Sequence, residues 1–284
     1  LFAVVLIVAV LCEESSIKAK IIYAACLFAM SLFLNDLQNR PTISKYILLA
    51  IITLILAASS LFVLFRDFKQ DYSAKFRRAF KEHYLMPYFK AFGYRYEISG
   101  DIDPAKLKLS GLFFRLDRYS YGNDRVSGVY DGVSFAFCDV SLFNRFSKSE
   151  ILGTFFYAEF NKRISAKTLI FPARAGAPNT RGLKKIDMDD AEFNAAFAVY
   201  CEDATSAMYI LTPAFMRELL RFAGAVAAPV SLSFLDSKIY IFVNTGRDNF
   251  EPDIDESVLR RDPAAQLKRE LSHFLAIVKN LKLN

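Results

Sequence analysis

The chain has 284 residues, 54% of them hydrophobic, and carries 36 basic and 30 acidic side chains for a net charge of +6. That apolar excess exceeds the usual composition of water-soluble chains, and the modest net charge argues against nucleic-acid binding. Four cysteines, none in a CxxC pair and two of them (Cys12, Cys26) in or beside apolar segments, argue against a disulfide framework or a zinc site and fit a reducing compartment.

The first part of the chain is nearly free of charge. Residues 1–65 hold four basic side chains (Lys18, Lys20, Arg40, Lys45) and three acidic ones (Glu13, Glu14, Asp36). Apolar stretches there predict a transmembrane region with spans at about 1–11, 19–34 and 46–65. The first is short, and the chain does not begin with methionine, so it reads as the tail of a longer span. No small-residue cleavage site follows it before Glu13, against a signal peptide. Leu11 before Cys12 argues against a lipoprotein box. Ile21–Leu34 is short unless Lys18 and Lys20 snorkel. The run Tyr46–Phe65 is uncharged over the roughly 20 residues that cross a bilayer. Arg66, Lys69, Lys75, Arg77, Arg78 and Lys81 follow it, against only Arg40 and Lys45 in the preceding loop, which places the following domain in the cytoplasm.

Residues 66–95 read as a basic amphipathic helix beside the membrane. Aromatic residues recur every four positions (Phe68, Tyr72, Phe76, Phe80, Tyr84), and Pro87 is expected to break or kink the helix near Met86. Arg66, Lys69, Lys75, Arg77, Arg78 and Lys81 are its candidate contacts to anionic lipid. The alternative is that the aromatic stripe packs on the following domain and the charged face is solvated.

Residues 96–284 read as a soluble α+β domain, with a mainly antiparallel sheet and packed helices. Asp103-Pro104 starts a helix. Val126–Asp139 forms a hairpin about Asp131-Gly132, the pair a type I′ turn favours. Strands follow at Leu152–Phe160 and Lys167–Phe171, then an exposed Gly/Pro-rich loop over Pro172–Lys185. Asp189 stands three residues before Glu192 as a helix start, and Ala196–Cys201 is a strand. A helix capped by Thr212-Pro213 is expected to stop at Gly224. A second hairpin joins Val230–Phe234 to Lys238–Val243. The last helix starts at Asp262-Pro263 and turns Leu267, Leu271, Phe274, Leu275, Val278 and Leu281 inward.

No catalytic set stands out. Of the two histidines, His83 has no ligand-spaced neighbours and His273 lies off the apolar face of its helix, so a nucleophile–base arrangement finds no base. No nucleophile elbow, phosphate loop or dinucleotide fingerprint occurs. The acidic groups Asp187/Asp189/Asp190/Glu192 and Glu251/Asp253/Asp255/Glu256 lack the spacing and central glycine of a calcium loop. No catalytic, cofactor or metal residues are assigned. Polar turn residues interrupt the strands at Ser110, Gly111, Asp117 and Arg118, and again at Asp124, Arg125, Ser127 and Gly128. These eight are the candidate interaction surface, with plain turn geometry as the alternative.

Several short motifs in order carry a family resemblance: Ser110-Gly111-Leu112-Phe113, Asp117-Arg118-Tyr119, Asp124-Arg125-Val126-Ser127-Gly128, Asp131-Gly132-Val133-Ser134-Phe135, Glu192-Phe193-Asn194, Leu211-Thr212-Pro213-Ala214-Phe215-Met216 and Val230-Ser231-Leu232-Ser233-Phe234. From about Phe80 to the C-terminus the chain resembles the bacterial family called domain of unknown function 3137. The resemblance implies apolar spans ahead of the domain, no transferable activity, and association with LemA-like membrane proteins. The expectation is a multi-pass bacterial inner-membrane protein with a cytoplasmic, non-enzymatic domain that binds the lipid bilayer or a protein partner. A hydrolase or transferase acting on envelope material, with carboxylates assembled by the fold, is the alternative.

Overall fold

The structure is a computed structural model that describes residues 43–113, 118–144, 149–159, 164, 166–176, 180–252 and 265–280. The chain divides into two units, one ending at Phe76 and the other beginning at Arg77.

In the first unit the described backbone is helical. Helix α1, Ile43–Phe80, is 38 residues long and runs on into the second unit. Between positions 47 and 65 of this helix Ile47, Ile51, Leu54, Ile55, Leu61, Phe62 and Phe65 are exposed. The expected spans at 1–11 and 19–34 lie outside the described residues. The third falls within α1, but the structure does not support a transmembrane helix there: among the described residues no helix is long and apolar enough to cross a membrane. Several side chains of the apolar run, Leu48, Leu49, Ile52, Leu56 and Leu64 included, lie outside the described set.

Pro87 does not end the helix. The chain passes from α1 through a π-helical turn, Lys81–Leu85, into α2, Met86–Ala91, which carries Pro87 in its first turn. The Met86 N–H reaches back five residues to the Lys81 carbonyl. A proline in an unbroken α-helix would lose a hydrogen bond and strike the carbonyl four residues earlier. The wider turn directly before it relieves that conflict. It also decides which face is buried. Lys81, Leu85 and Phe89 point inward, one residue on from the Phe80/Tyr84/Tyr88 stripe that the sequence suggests. The expected helix over 66–95 therefore stops at Ala91, and strand β1 (Arg95–Glu97) follows after Gly93, whose φ of 74° a side chain would resist.

The second unit is built on one nine-stranded sheet in which every pairing is antiparallel. Its strands are β1, β2 (Arg118–Tyr130), β3 (Val133–Asn144), β4 (Ser149–Glu159), β5 (Thr168–Pro172), β6 (Lys184–Ile186), β7 (Phe197–Cys201), β8 (Val230–Leu235) and β9 (Lys238–Val243). Their spatial order is β1-β2-β3-β4-β9-β8-β5-β7-β6. The predicted α+β class with an antiparallel sheet and packed helices is what the structure shows. Asp131 and Gly132, both at positive φ, make the β2–β3 hairpin, and Asp236 and Ser237 turn β8 into β9 in the same way.

Short helices fill the remaining connections. Helix α3 (Pro104–Ser110) is capped by Asp103, whose carboxylate accepts from the Ala105 N–H. Helix α4 (Ala191–Ala196) is capped by Asp190 rather than Asp189. Helix α5 (Ala204–Ile210), capped by Asp203, has no counterpart in the sequence expectations. Helix α6 (Pro213–Val226) has its Thr212 cap but runs past Gly224, ending with Ala227 in the left-handed region. Helix α7 (Ala265–Asn280) buries Leu267, Leu271, Phe274 and Val278 as expected; its proposed cap at Asp262 lies outside the described residues.

Two apolar layers cover the sheet. One joins Leu85 and Phe89 with Phe137, Phe156, Phe193, Phe215, Phe222, Phe234 and Phe274. The other packs Leu107 and Leu112 on Cys138, Phe155, Leu169, Tyr240 and Phe242. Gly153 sets the β4–β9 approach: a Cβ there would lie 2.1 Å from the Val243 carbonyl oxygen. Gly153→Ala is expected to force backbone apart and cost about 1–3 kcal/mol or more, read as a lowered urea midpoint at unchanged slope. A loss of a few tenths of a kcal/mol would contradict this register.

Candidate functional site

The site begins with a defect in strand β2. Asn123 pairs with Asp139 and Val126 with Phe137, so β2 holds one extra residue between these pairs. Asp124 adopts a φ of 58° in this bulge, a conformation that aspartate tolerates better than most residues. Its N–H is bonded to the Ile98 carbonyl at 2.9 Å. The bulge aims the carboxylate into the interior, where Asp124 is fully buried.

The π-helical turn supplies the partner. Lys81 Nζ donates to Asp124 Oδ2 and to Glu251 Oε1, both at 2.6 Å, and Arg77 Nε lies 3.3 Å from Glu251 Oε2. The Tyr96 hydroxyl donates to Asp124 Oδ1. Two backbone irregularities, one in a helix and one in a strand, thus join an ammonium and a carboxylate that their sequence surroundings would leave outside.

A second row lies beside the first. Asn123, Asp139 and Thr154 stand opposite one another on β2, β3 and β4. The loop 244–252 after β9 folds over them. Thr154 Oγ1 donates to Asp139 Oδ1 at 2.8 Å, and the Asn249 N–H donates to Asp139 Oδ2. Asn249 Nδ2 donates to Thr154 Oγ1 at 2.9 Å, and Asn123 Nδ2 to Asp248 Oδ2 at 3.2 Å. Asp248 Oδ1 also accepts from the Phe250 N–H at 3.2 Å.

The electrostatics follow from burial. Burial pushes the Asp124 carboxyl up to about 6, against the opposing pull of Lys81 and the Tyr96 hydrogen bond. For Lys81 burial alone would lower the pKa, but Asp124 and Glu251 outweigh it and hold the ammonium above its ordinary value. Burial and the neighbouring Asp248 hold Asp139 well above the carboxylate range. Burial and Asp124 keep the Tyr96 phenol protonated far beyond its usual range.

Asp124, Asp248 and Glu251 place carboxylate oxygens within 4.8 Å of one another, the donor set a hard cation prefers. The Lys81 ammonium already bonds two of the three, Asp124 and Glu251.

The structure scatters the eight-residue candidate surface. Ser110 and Asp124 are buried, which removes them from any surface. Ser110 Oγ donates to the Leu107 carbonyl at 2.6 Å and closes α3, with Gly111 as its left-handed cap. Arg125 is half-buried and paired with Glu97; Ser127 and Gly128 are half-buried in β2. Asp117 and the Arg118 side chain lie outside the described residues. Of the candidate lipid contacts, Arg66, Lys69, Lys75, Arg77 and Arg78 are exposed, with Lys75 paired to Asp71 and Arg78 to Glu82. Lys81 is buried, 5% exposed, and cannot touch lipid, because the π-helical turn rotates it inward. Asp190 caps α4, so capping accounts for it, while Asp253, Asp255 and Glu256 lie outside the described residues. His83 is exposed, and His273 is half-buried, 5.8 Å from the Phe222 ring.

The second unit is thus an α+β domain on a nine-stranded antiparallel sheet, with a buried ionic cluster where a bulged strand meets a π-helical turn. Residues 150–283 match the family described as protein of unknown function (DUF3137). No curated protein sequence matches the chain. Among solved structures, the crystal structure of the mycobacterial trehalose monomycolate transport factor A, TtfA, is similar at 10% identity and a TM-score of 0.42, over 72% of this chain and 94% of that one.

Proposed function

We propose that the chain is a membrane-anchored, non-catalytic module whose α+β domain works at the cytoplasmic face of a bacterial inner membrane, docking a membrane-protein partner or the lipid headgroups. The observation that carries this reading is the bare apolar stretch of α1 between positions 46 and 65. Seven large apolar side chains are exposed along it, in a run of twenty uncharged residues. Twenty helical residues rise about 30 Å, the thickness of the hydrocarbon core. The cations Arg66, Lys69, Arg77 and Arg78 come next, suited to an anionic headgroup layer.

A hydrolase or transferase would need carboxylates free to meet a substrate. The four carboxyls the fold assembles are instead spent on Lys81, Tyr96, Thr154, Asn123 and backbone N–H groups. The fold favours a structural use for them.

Fractionation of cells expressing the full chain tests the anchor. The protein is expected in the membrane pellet after washing with high salt and alkaline carbonate. Leu54→Arg with Ile55→Arg should release it, since each arginine near a span centre costs about 2.5–3.5 kcal/mol. Wild-type protein recovered in the carbonate supernatant would overturn the anchor and assign the apolar surface of α1 to a protein partner.

A further inference from the structure

One surplus residue sits in the helix and one in strand β2, and Lys81 joins the two places. The π-helical turn Lys81–Leu85 absorbs its extra residue without leaving the right-handed helical region: Phe80 lies at φ −59°, ψ −46°, Leu85 at −71°, −42° and Met86 at −61°, −48°. The bulge in β2 holds the other surplus residue, with Asp124 in the left-handed region. Lys81 Nζ reaches Asp124 Oδ2 and Glu251 Oε1, each at 2.6 Å.

Counting back from the buried Phe89 shows what the wider turn does. An α-helix advances about 100° per residue, so seven residues complete two turns to within about 20°. The residue seven positions before Phe89 is Glu82. In an unbroken α-helix Glu82 would share the inward face of Phe89, and Lys81 would stand one residue step to its side. The π-helical turn displaces every earlier residue by one step, and Lys81 takes the inward place. The burial agrees: Lys81 is 5% exposed, while Glu82 turns outward and pairs with Arg78 at 2.8 Å. The same step would exchange Arg77, which lies against Glu251, for Arg78, one cation for another. Between positions 81 and 82 the sign of the charge changes.

We propose that Lys81 and Glu82 form a charge-coded register lock. Asp124 and Glu251 accept the helix in the π-helical setting, which brings them the Lys81 ammonium, and reject the α-helical setting, which would bring them the Glu82 carboxylate. The settings differ by one residue, about 100° of rotation and about 1.5 Å of travel for the last turn of α1, Arg77–Phe80. Asp124 is fully buried, so little water screens the attraction in one setting or the repulsion in the other. A buried ion pair used in this way selects a register rather than adding net stability. Pro87 secures the same setting by a separate means, because in an unbroken α-helix its ring would strike the His83 carbonyl. Arg247 is a cation of the loop itself; it is common to both settings and does not distinguish them. The lock goes beyond the anchoring role and does not depend on it.

Urea unfolding of the full chain in mild detergent tests the code through a rescue. Lys81→Glu should lower the folding constant roughly a hundredfold or more, because it sets a carboxylate against Asp124 and Glu251. Glu82→Lys alone should change it by about fivefold at most, the worth of an exposed pair with Arg78. Combined, the two should recover about tenfold or more of what Lys81→Glu loses, since one step of the helix returns an ammonium to the two carboxylates. Pro87→Ala should enlarge that recovery by removing the clash that opposes the α-helical setting. A crystal structure of the rescued variant should show an unbroken α-helix through Met86, with the Met86 N–H on the carbonyl of position 82. If Lys81→Glu does not fold, Lys81→Gln with and without Glu82→Lys makes the same comparison. No recovery in the combined variant, or recovery with the π-helical turn still in place, would overturn the lock.

Discussion

Lys81→Met should destabilise the domain by about 3–5 kcal/mol at pH 8, the cost of leaving buried carboxylate without its cation. The ammonium is nearly inaccessible, and both of its bonds are short. The penalty is expected to depend on pH. In the wild type Asp124 is pushed up to about 6, from an ordinary 3.8, in spite of Lys81. Its contribution to stability is therefore full below 3.8 and is lost as the pH rises through about 6. Without the ammonium the Asp124 carboxyl rises further, because an opposing attraction has gone. At pH 5 it is protonated in the folded variant and no naked charge is buried. The penalty should then shrink by up to about 1.4 kcal/mol for each pH unit below that raised value. Urea unfolding of the full chain in detergent at pH 5 and pH 8 measures both numbers. An equal loss at the two values would show that the penalty does not come from an ionised Asp124 left without its cation.

Much of the fold is legible in the sequence because its signals are local. Asp103-Pro104, Thr212-Pro213 and Asp131-Gly132 state their own backbone angles, and the structure uses all three. Where the expectations miss, tertiary packing overrides the local signal. Gly224 is an ordinary stop, yet α6 continues to Val226, beyond the buried Leu219 and Phe222. Pro87 is an ordinary break, yet a wider turn before it absorbs the strain. That turn shifts the buried stripe by one residue and converts Lys81 from an expected lipid contact into a core cation.

The site is harder to see for the same reason. Asp124, Lys81 and Glu251 are each visible in the sequence as a turn residue, a surface base and a loop acid. They lie 43 and 170 positions from one another as measured from Lys81, so nothing local pairs them. One signal was available. Asn123-Asp124-Arg125 places three polar residues in succession where a half-buried strand should alternate, which suggests a bulge. The bulge could be inferred; its partner could not, because the π-helical turn that supplies Lys81 has no sequence signature beyond the proline after it.

Phe274→Ala is the second large effect expected, about 3–5 kcal/mol. Helix α7 packs through a buried face of Leu267, Leu271, Phe274, Ile277 and Val278. Phe274 is fully buried on that face. Its ring stacks on Phe156 of β4 at 4.8 Å, meets Phe222 of α6 edge-on at 5.3 Å, and lies 6.0 Å from Phe137 of β3. One side chain thus joins two central strands and two helices, and aromatic pairs in these geometries add to the gain from area burial alone. Removing the ring opens a cavity that four rigid elements cannot close by small shifts. Leu267 and Leu271 remain to hold the first turns of α7, so the end around Ile277 and Val278 should loosen first. Hydrogen exchange is expected to show lost protection there at urea concentrations where β3 and β4 are still intact. Uniform loss across the helix and the sheet would mean that α7 unfolds only with the whole domain, and that the ring's contribution belongs to the entire core.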